Sequence, residues 1–390
     1  MNATATPAWQ PTLDRLVAAL AATAVERDRR GGTALLERTV IRDSGLLRLS
    51  IPRELGGCGA TWAQTLSAVE QLARVDSSLA HVFAFHHLML ATTRLFGTAA
   101  QWQRAADETA RHGWFWGNAL NPLDPRTTLT TRDGKRLLNG QKSFCSGARD
   151  SDRLIVSAQD GEGKLIVAAI PTARAGVVTL DDWDNMGQRQ TDSGSVEFHD
   201  VVIEEDELLR TPGPMGSVFA SLRPCLAQLI LTHIYLGIGE GALAEARRYT
   251  RSATRAWPAS NVERPVDDPY IQLHYGEFFV ALAGARALTE RAAATFDRAY
   301  DRGAALVADE RAATALAVAT AKVASARAGL DVTQRMFEVM GARATTARAG
   351  IDRYWRNLRT HTLHDPIDYK LRELGRFALD DILPTPGFYS

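Results

Sequence analysis

The sequence predicts an α+β fold in which a helical N-terminal domain is followed by a β domain and then by a helical C-terminal domain. Three observations predict it: helical periodicity up to about Glu108, period-two alternation after Gly113, and long alanine- and leucine-rich helical stretches from Arg223 onward. At 390 residues the chain can hold two or three packed domains. We expect these domains to comprise residues 1–112, 113–214 and 215–390.

An amphipathic pattern indicates the N-terminal helices. Leu13, Leu16, Val17 and Leu20 lie at the i, i+3, i+4 and i+7 positions of a helix with one buried face. The pattern begins at Pro11, and we expect the first third of the chain to be a block of helices.

Short runs of alternating side chains indicate the β domain. The segments 127–131 and 195–198 have this period, and Asp133-Gly134 and Gly161-Glu162-Gly163 supply turn residues between the runs. The pattern ends near residues 212–214, so we expect an antiparallel β region between two helical ones.

The C-terminal domain is predicted to be a helix bundle. Its clearest helix extends from Val307 to Met340 and stops at Gly341, a residue type that commonly ends helices. Three prolines and several polar residues between Trp257 and Pro269 predict a loop between two helices.

Charge and hydropathy exclude several classes of protein. Basic and acidic residues balance at 45 each, so no net field attracts the chain to nucleic acid or to an anionic membrane. The longest charge-free apolar stretch, from Leu226 to Gly239, is too short to span a bilayer. Cys58, Cys145 and Cys225 are widely spaced and fit a reducing compartment. We expect a soluble, cytoplasmic protein.

Several motifs, in order along the chain, resemble those of a known family. They are Ile51-Pro52-Arg53-Glu54-Leu55-Gly56-Gly57, Asn118-Ala119-Leu120-Asn121-Pro122, Lys142-Ser143-Phe144-Cys145-Ser146-Gly147-Ala148, residues 187–201, and Met340-Gly341-Ala342-Arg343. In these motifs the chain resembles the acyl-CoA dehydrogenases from about residue 45 to 375. The resemblance implies a central antiparallel β-barrel or sandwich, a C-terminal four-helix bundle and a bound flavin.

Four segments narrow this resemblance to one branch of the superfamily. Residues 114–119, 144–148, 182–185 and 355–366 are similar to the flavin-dependent monooxygenases, and most similar to the dibenzothiophene monooxygenases. The resemblance implies a two-component enzyme, in which a separate flavin reductase supplies FMNH2. O2 then forms a C4a-hydroperoxide on the flavin, and one oxygen atom enters an apolar organosulfur or related heteroatom or aromatic substrate.

The same motifs suggest the residues that contact the flavin ring. The resemblance implies that Asn118 and Asn121 meet its pyrimidine edge and that Phe144 and Ser146 lie on the second flavin strand, with Ser146 near N5. Trp183 would form a wall of the slot. The structural alternatives are a plain turn at Ser146 and interior packing for the tryptophan.

Arg255 and Arg343 are candidates for the flavin phosphate, because a guanidinium binds phosphate bidentately and stays charged. In the family an arginine in the place of Arg343 reaches the flavin of a neighbouring subunit, which implies an oligomer, and we expect a homotetramer. A solvated surface charge is the alternative for Arg255. Residues 254–258 lack the Arg-x-x-Phe-Gly-like element that binds the adenine part of FAD. FMN is therefore favoured, and FAD stays possible.

Histidines suit oxygen chemistry, because imidazole titrates near neutrality and can give or take a proton. His361 and His364 are three residues apart, project on one face of a helical turn, and are predicted to be catalytic together with Ser146. His364 is also expected to contact the flavin. One of His86 and His87 should close the pocket from the first helical block, and His87 is our candidate. A metal site is the alternative, but no H-E-x-x-H or glutamate-rich di-iron pattern accompanies these histidines.

Other functions share this scaffold. An acyl-CoA dehydrogenase or oxidase with tightly bound FAD has its catalytic glutamate where an ungapped comparison places His364-Asp365-Pro366, so Asp365 keeps that alternative open. An amine or amino-sugar N-hydroxylase is a second alternative. A member that binds flavin without catalysis is a third, against which the intact candidate residues argue.

Overall fold

Five α-helices form the N-terminal part of the structure, a computed structural model that describes residues 6–390. They are α1 Gln10–Arg30, α2 Leu35–Asp43, α3 Trp62–Ala73, α4 Ser77–Phe96 and α5 Ala99–His112. Thr61 and Thr98 start α3 and α5 with capping boxes, and Asp76 caps α4. Every residue of α4 except Arg94 is buried, so this helix is the centre of the domain.

The middle of the chain forms one seven-stranded sheet. Its strands are β1 Trp116–Ala119, β2 Thr127–Arg132, β3 Lys135–Lys142, β4 Arg153–Gln159, β5 Leu165–Pro171, β6 Val177–Thr179 and β7 Val196–Ile203. Their order is β1-β4-β2-β3-β7-β6, and β5 pairs with β4. Strands β1 and β2 run parallel to β4, whereas the other pairs are antiparallel. The two alternating segments, 127–131 and 195–198, form most of β2 and the start of β7, and most pairs are antiparallel as predicted, but the pattern does not specify which strand pairs with which.

Five helices follow the sheet. They are α6 Leu222–Ser252, α7 Pro269–Arg302, α8 Ala308–Met340, α9 Arg353–His361 and α10 Ile367–Asp380. Helices α6, α7 and α8 pack against one another, α10 packs against α8, and the nine-residue α9 packs against α6 and α8. α8 ends before Gly341 as predicted, and that glycine has a φ of 82°. The short α9 is an addition to the predicted four-helix bundle.

Two hydrophobic cores hold these parts together. The larger core combines residues from both ends of the chain, among them Leu66, Phe83 and Leu229, and the smaller core lies against the sheet around Leu154 and Phe198. The predicted α+β architecture with two helical parts around a β domain is confirmed. The boundaries at 112/113 and 214/215 stay predictions; α5 ends at His112, β7 ends at Ile203 and α6 begins at Leu222.

Within the described residues, α6 is the one helix whose length and composition would allow it to cross a membrane. Of its most apolar window, 83% is buried inside the protein. Its apolar character is therefore accounted for by its place in the larger core.

Candidate active site

A cavity of about 690 Å³ lies where the N-terminal helices, the sheet and the C-terminal helices meet. This volume suits a ligand of cofactor size. The predicted site residues that line it are Asn118, Asn121, Phe144, Ser146, Trp183, His361 and His364. They come from β1, from the segment after β3, from the segment before β7, and from α9 and its C-terminal turn. The tertiary structure thus brings together motifs that are far apart in the sequence.

An aromatic wall forms one side of the cavity. Phe144 is 64% exposed and has a φ of 59°, which is rare for a bulky residue and is found at ligand sites. The ring centroid of Trp183 lies 6.0 Å from that of Phe144, and its Nε1 donates a 2.8 Å hydrogen bond to the carbonyl of Gln188. The two rings give the cavity the apolar surface that a flat heterocycle requires.

The two asparagines shape the end of β1. Asn118 Nδ2 donates to the carbonyl of Phe144 at 3.3 Å, and its Oδ1 accepts from the amide of Leu120 at 3.0 Å. The carbonyl of Asn121 accepts a 3.1 Å hydrogen bond from the buried Lys142 Nζ. These contacts hold the backbone that turns toward the cavity, in addition to any contact the amides make with a ligand.

A continuous line of hydrogen bonds, here called the histidine–serine network, borders the cavity and comprises His361, His81, Ser146, Ser193 and Thr191. His361 Nε2 lies 2.9 Å from His81 Nδ1, and His81 Nε2 lies 2.9 Å from Ser146 Oγ. Ser146 Oγ is 2.7 Å from Ser193 Oγ, which is 2.8 Å from Thr191 Oγ1. All five side chains are buried or nearly so.

The direction of these hydrogen bonds follows from the group at their end. Thr191 Oγ1 contacts the carbonyl of Gln188 at 3.0 Å, and a carbonyl only accepts, so the threonine hydroxyl must donate. Each hydroxyl then accepts from the group before it, and each imidazole donates through Nε2. His361 Nδ1 is left as a lone-pair acceptor, and this buried atom has no hydrogen-bond partner in the structure.

Both imidazoles of the network are neutral at physiological pH. Burial, reinforced by the nearby His364, lowers the pKa of His81 to about 3. Burial, with the neighbouring His81 and His364, holds the pKa of His361 well below its ordinary value. The network can therefore hold or pass a proton without carrying a permanent charge.

A second group, here called the lysine–aspartate cluster, comprises Lys322, Asp365, Gln228 and His364. Lys322 Nζ lies 2.5 Å from Asp365 Oδ1, and His364 Nδ1 lies 3.0 Å from the same oxygen. Gln228 accepts a hydrogen bond from Lys322. Burial raises the pKa of Asp365, but the hydrogen bond from His364 and the charge of Lys322 outweigh it and hold that pKa well below its usual range. Burial lowers the pKa of Lys322 to about 8, so both partners are charged at neutral pH.

The lysine–aspartate cluster decides the role of Asp365. Its carboxylate is engaged by Lys322 and His364 and, unlike His364, it does not line the cavity. A catalytic base for acyl-CoA oxidation must reach the substrate and must gain a proton readily. Asp365 meets neither requirement, and it serves instead to orient His364.

The prediction that His87 closes the pocket is corrected by the structure. Neither His86 nor His87 lines the cavity; His87 Nδ1 lies 2.8 Å from Ser50 Oγ, and His86 Nε2 contacts the carbonyl of Leu47 at 2.7 Å. The His87 ring packs inside the N-terminal domain, and the His86 ring lies between that domain and the start of β1, where its Nδ1 accepts a 3.1 Å hydrogen bond from the amide of Trp116. His81, which the sequence analysis did not select, occupies the predicted place.

The helical spacing on α4 explains why His81, and not the pair at 86–87, lines the cavity. His81, Phe85 and Leu88 are spaced as i, i+4 and i+7 on α4, and all three line the cavity. The histidine pair at 86–87 points elsewhere because adjacent helical residues differ by about 100° in direction.

The two arginines proposed for the flavin phosphate are not at the cavity of their own chain. Arg255 lies in the loop between α6 and α7, Arg343 lies just after α8, and both are exposed. Neither lines the cavity. Arg343 is predicted to reach the flavin of a neighbouring subunit, and the phosphate-binding roles of both arginines stay predictions.

Three features of the cavity suit a bound flavin. The aromatic wall suits an isoalloxazine, Ser146 Oγ has a lone pair left after its bonds to His81 and Ser193, and His361 Nδ1 is a buried acceptor without a partner. A polar network beside an apolar slot is typical of cofactor sites.

Comparisons with known proteins identify the family of this chain. Three family models, for the N-terminal, middle and C-terminal domains of acyl-CoA dehydrogenase, match residues 10–112, 118–201 and 229–369. The probable FMNH2-dependent monooxygenase SfnC of Pseudomonas putida is 54% identical to this chain over 100% of both sequences.

The chain is also similar to solved structures along nearly its whole length. Methanesulfinate monooxygenase MsuC from Pseudomonas fluorescens is 58% identical with a TM-score of 0.97, over 99% of this chain and 100% of that one. FMN-bound TdsC, a dibenzothiophene monooxygenase from a Paenibacillus species, is 41% identical with a TM-score of 0.93, over 98% of this chain and 100% of that one. The predicted resemblance is confirmed. The chain therefore belongs to the acyl-CoA dehydrogenase family and, within it, to the flavin-dependent monooxygenases.

Proposed function

We propose that this chain is an FMNH2-dependent monooxygenase that transfers one atom of O2 to the sulfur of an organic substrate. The observation that carries the proposal is the histidine–serine network, which places neutral proton-holding groups beside an apolar slot. The relatives named for FMNH2, methanesulfinate and dibenzothiophene support the cofactor and the substrate class. FMN bound to TdsC supports FMN over FAD.

The residues of the cavity have distinct tasks in this proposal. Reduced FMN supplies two electrons to O2 when it is bound. Phe144 and Trp183 would enclose the flavin ring, and Ser146 Oγ would be free to accept a hydrogen from it, because its own hydrogen is donated to Ser193. Asn118 and Asn121 support the strand end that faces the pyrimidine edge.

His361 and His364 are the candidate proton-transfer groups of the cavity. Within residues 6–390 no protein group satisfies His361 Nδ1, so this acceptor of the network could take a hydrogen from a bound ligand. His364 is 37% exposed and its ring is oriented by the hydrogen bond to Asp365, so it is placed to exchange a proton with a ligand of the cavity. Burial of the network excludes water from these transfers.

The alternative functions receive less support. Acyl-CoA oxidation lacks a free base because Asp365 is paired with Lys322 and turned away from the cavity. Hydroxylation of amines or amino sugars is supported by none of the relatives reported above. The relatives of highest identity above are named for organosulfur compounds or for FMNH2.

We further propose that the enzyme is a homotetramer that receives FMNH2 from a separate reductase by diffusion. Exposed apolar residues on α7, namely Tyr270, Leu273, Phe279 and Val280, form a surface that another subunit would cover. In such an assembly Arg343, and Arg255 with it, would reach the phosphate of a neighbour's FMN. The three free cysteines support a reducing, cytoplasmic environment.

The test is a reconstituted assay with the purified protein, a generic flavin reductase, NADH, FMN and a panel of organosulfur compounds, amines, phenols and acyl-CoA thioesters. We expect an oxygenated sulfur product that requires every component. Reduction of a bound yellow flavin by an acyl-CoA, with no oxygenated product, would contradict the proposal. Light scattering of the same preparation measures the subunit number.

A further inference from the structure

One positively charged side chain in the wall of the cavity has no carboxylate partner among residues 6–390. Arg223, the second residue of α6, lines the cavity and is half-buried. Its Nε donates a 3.2 Å hydrogen bond to Thr92 Oγ1, and within residues 6–390 it forms no ion pair. Burial lowers the pKa of Arg223 to about 10, so the guanidinium still carries its charge at neutral pH.

Two other buried arginines, Arg27 and Arg38, are each neutralised by carboxylates. Arg27 Nε lies 3.1 Å from Glu37 Oε1, and Arg38 Nε lies 3.0 Å from Asp150 Oδ2. A partly buried cation without such a partner has lost hydration that no carboxylate replaces, so it favours an anionic ligand. The exposed part of Arg223 lies on the cavity wall, so the missing partner is a ligand of the cavity.

Arg223 is close to the groups that handle the proton. On α6 it is one helical turn, about 6 Å, before Ala227, which also lines the cavity. The next residue, Gln228, donates to Asp365 at 3.4 Å, and Asp365 orients His364. The ring of Tyr389 lies 6.1 Å from that of His364, and its phenol is the protein group whose charge most affects Arg223.

We propose that Arg223 binds the negative charge of the substrate, and that the substrate is an organosulfur anion such as a short-chain alkanesulfinate. This inference rests on the proposed monooxygenase function and names its substrate class. The names of the relatives span a small anion and a neutral tricyclic compound, and Arg223 favours the anion. A sulfinate keeps its charge on the group that is oxidised.

The reaction is balanced with reactants that the proposed function already uses. R–SO2⁻, FMNH2 and O2 give R–SO3⁻, FMN and H2O. One S–O bond forms and the O–O bond breaks. Sulfur and FMNH2 each give two electrons, O2 takes four, and the two hydrogens of FMNH2 leave in water.

The experiment compares one charged and one neutral substrate, methanesulfinate and dibenzothiophene, in the reconstituted assay. Arg223→Gln should raise the KM for methanesulfinate at least about 30-fold, because it removes a desolvated, charge-assisted contact. Turnover of dibenzothiophene and the KM for FMNH2, measured from substrate-free peroxide release, should change less than about threefold, the range of a contact that is not lost. Arg223→Lys should recover part of the methanesulfinate affinity and carries the test if the glutamine variant does not fold.

Arg111→Gln, which removes an exposed charge on α5, is the matched control and should leave all three quantities unchanged. An equal loss on both substrates overturns the proposal, as does a wild-type enzyme that oxidises dibenzothiophene but not methanesulfinate. A raised KM for FMNH2 alone would assign Arg223 to the flavin phosphate and also overturn it. By contrast, a wild-type protein that oxidises neither compound and releases no peroxide contradicts the monooxygenase function itself.

Discussion

The histidine–serine network and the lysine–aspartate cluster border the same cavity but solve the problem of burial in opposite ways. The network keeps its histidines neutral and satisfies them by a directed line of hydrogen bonds. The cluster keeps two full charges and satisfies them by pairing. The difference teaches that one cavity can combine groups able to hold a proton with a group that fixes the orientation of its neighbour. His361 belongs to the neutral network and His364 to the charged cluster, although the two are only three residues apart.

The largest effect should come from breaking the charged pair. Lys322→Met leaves Asp365 as a buried charge without its partner, and we expect the free energy of unfolding to fall by about 3–5 kcal/mol. Urea denaturation followed by circular dichroism measures this. Lys164→Met, at an exposed lysine in a β-turn, is the control and should change stability little. A loss for Lys322→Met as small as that of the control would show that the pair is not buried as described.

The neutral network should respond in activity more than in stability. His81→Phe removes the imidazole between His361 and Ser146, so we expect product formation to fall about 100-fold or more, the usual contribution of a proton-transfer group. Hydrogen peroxide released per FMNH2 consumed should rise, because O2 is still reduced. The matched control is His87→Gln on the same helix, whose ring does not reach the cavity. Equal uncoupling in the two variants would contradict the assignment of His81.

The contrast between His81 and His87 also shows what the sequence can and cannot specify. Family motifs located Ser146, Phe144 and Trp183 correctly at the cavity, because each lies in a short segment with its own turn chemistry. Periodicity could not orient α4, because almost all of it is buried and no polar face marks the solvent side. The choice between its histidines depends on how α4 packs against β1 and α6, which is a tertiary property.

The lysine–aspartate cluster lay beyond sequence reasoning for a related reason. Lys322 lies within an alanine-rich helical pattern and has no motif context, and the place of Asp365 in the sequence suggests a possible base. Only the packing of α8 against the turn after α9 brings the two side chains together. The pairing changes Asp365 from a candidate base to a group that orients His364. The phosphate-binding roles of Arg255 and Arg343 remain predictions.

A smaller effect should distinguish the members of the network. Ser146→Ala removes the hydroxyl that joins His81 to Ser193, and we expect a decrease of about tenfold in coupled product formation, which corresponds to one hydrogen bond. Ser193→Ala should cost less, because Ser193 lies one step farther from His81. Product and peroxide yields from single-turnover reactions measure both. A larger loss for Ser193→Ala would reverse the proposed order of the network.

The smallest expected effect is a difference in how the histidine–serine network and the lysine–aspartate cluster respond to pH. An unfolded histidine gains a proton near its ordinary pKa of 6.5, whereas folded His81 stays neutral down to about pH 3, so its contribution to stability is lost progressively as the pH falls from 6.5 toward 3. The lowered pKa of Asp365 contributes stability that is lost only as the pH falls below its ordinary value of 3.8. Between pH 6 and pH 5 the stability contributed by neutral His81 therefore decreases, while that contributed by Asp365 does not.

His81→Asn should reduce the slope of unfolding free energy against pH in this window by about 1 kcal/mol per pH unit. Asp365→Asn should leave that slope unchanged although it lowers stability at every pH in the window. Parallel slopes for wild type and His81→Asn would mean that His81 is protonated in the folded protein, which would remove the basis for a neutral network.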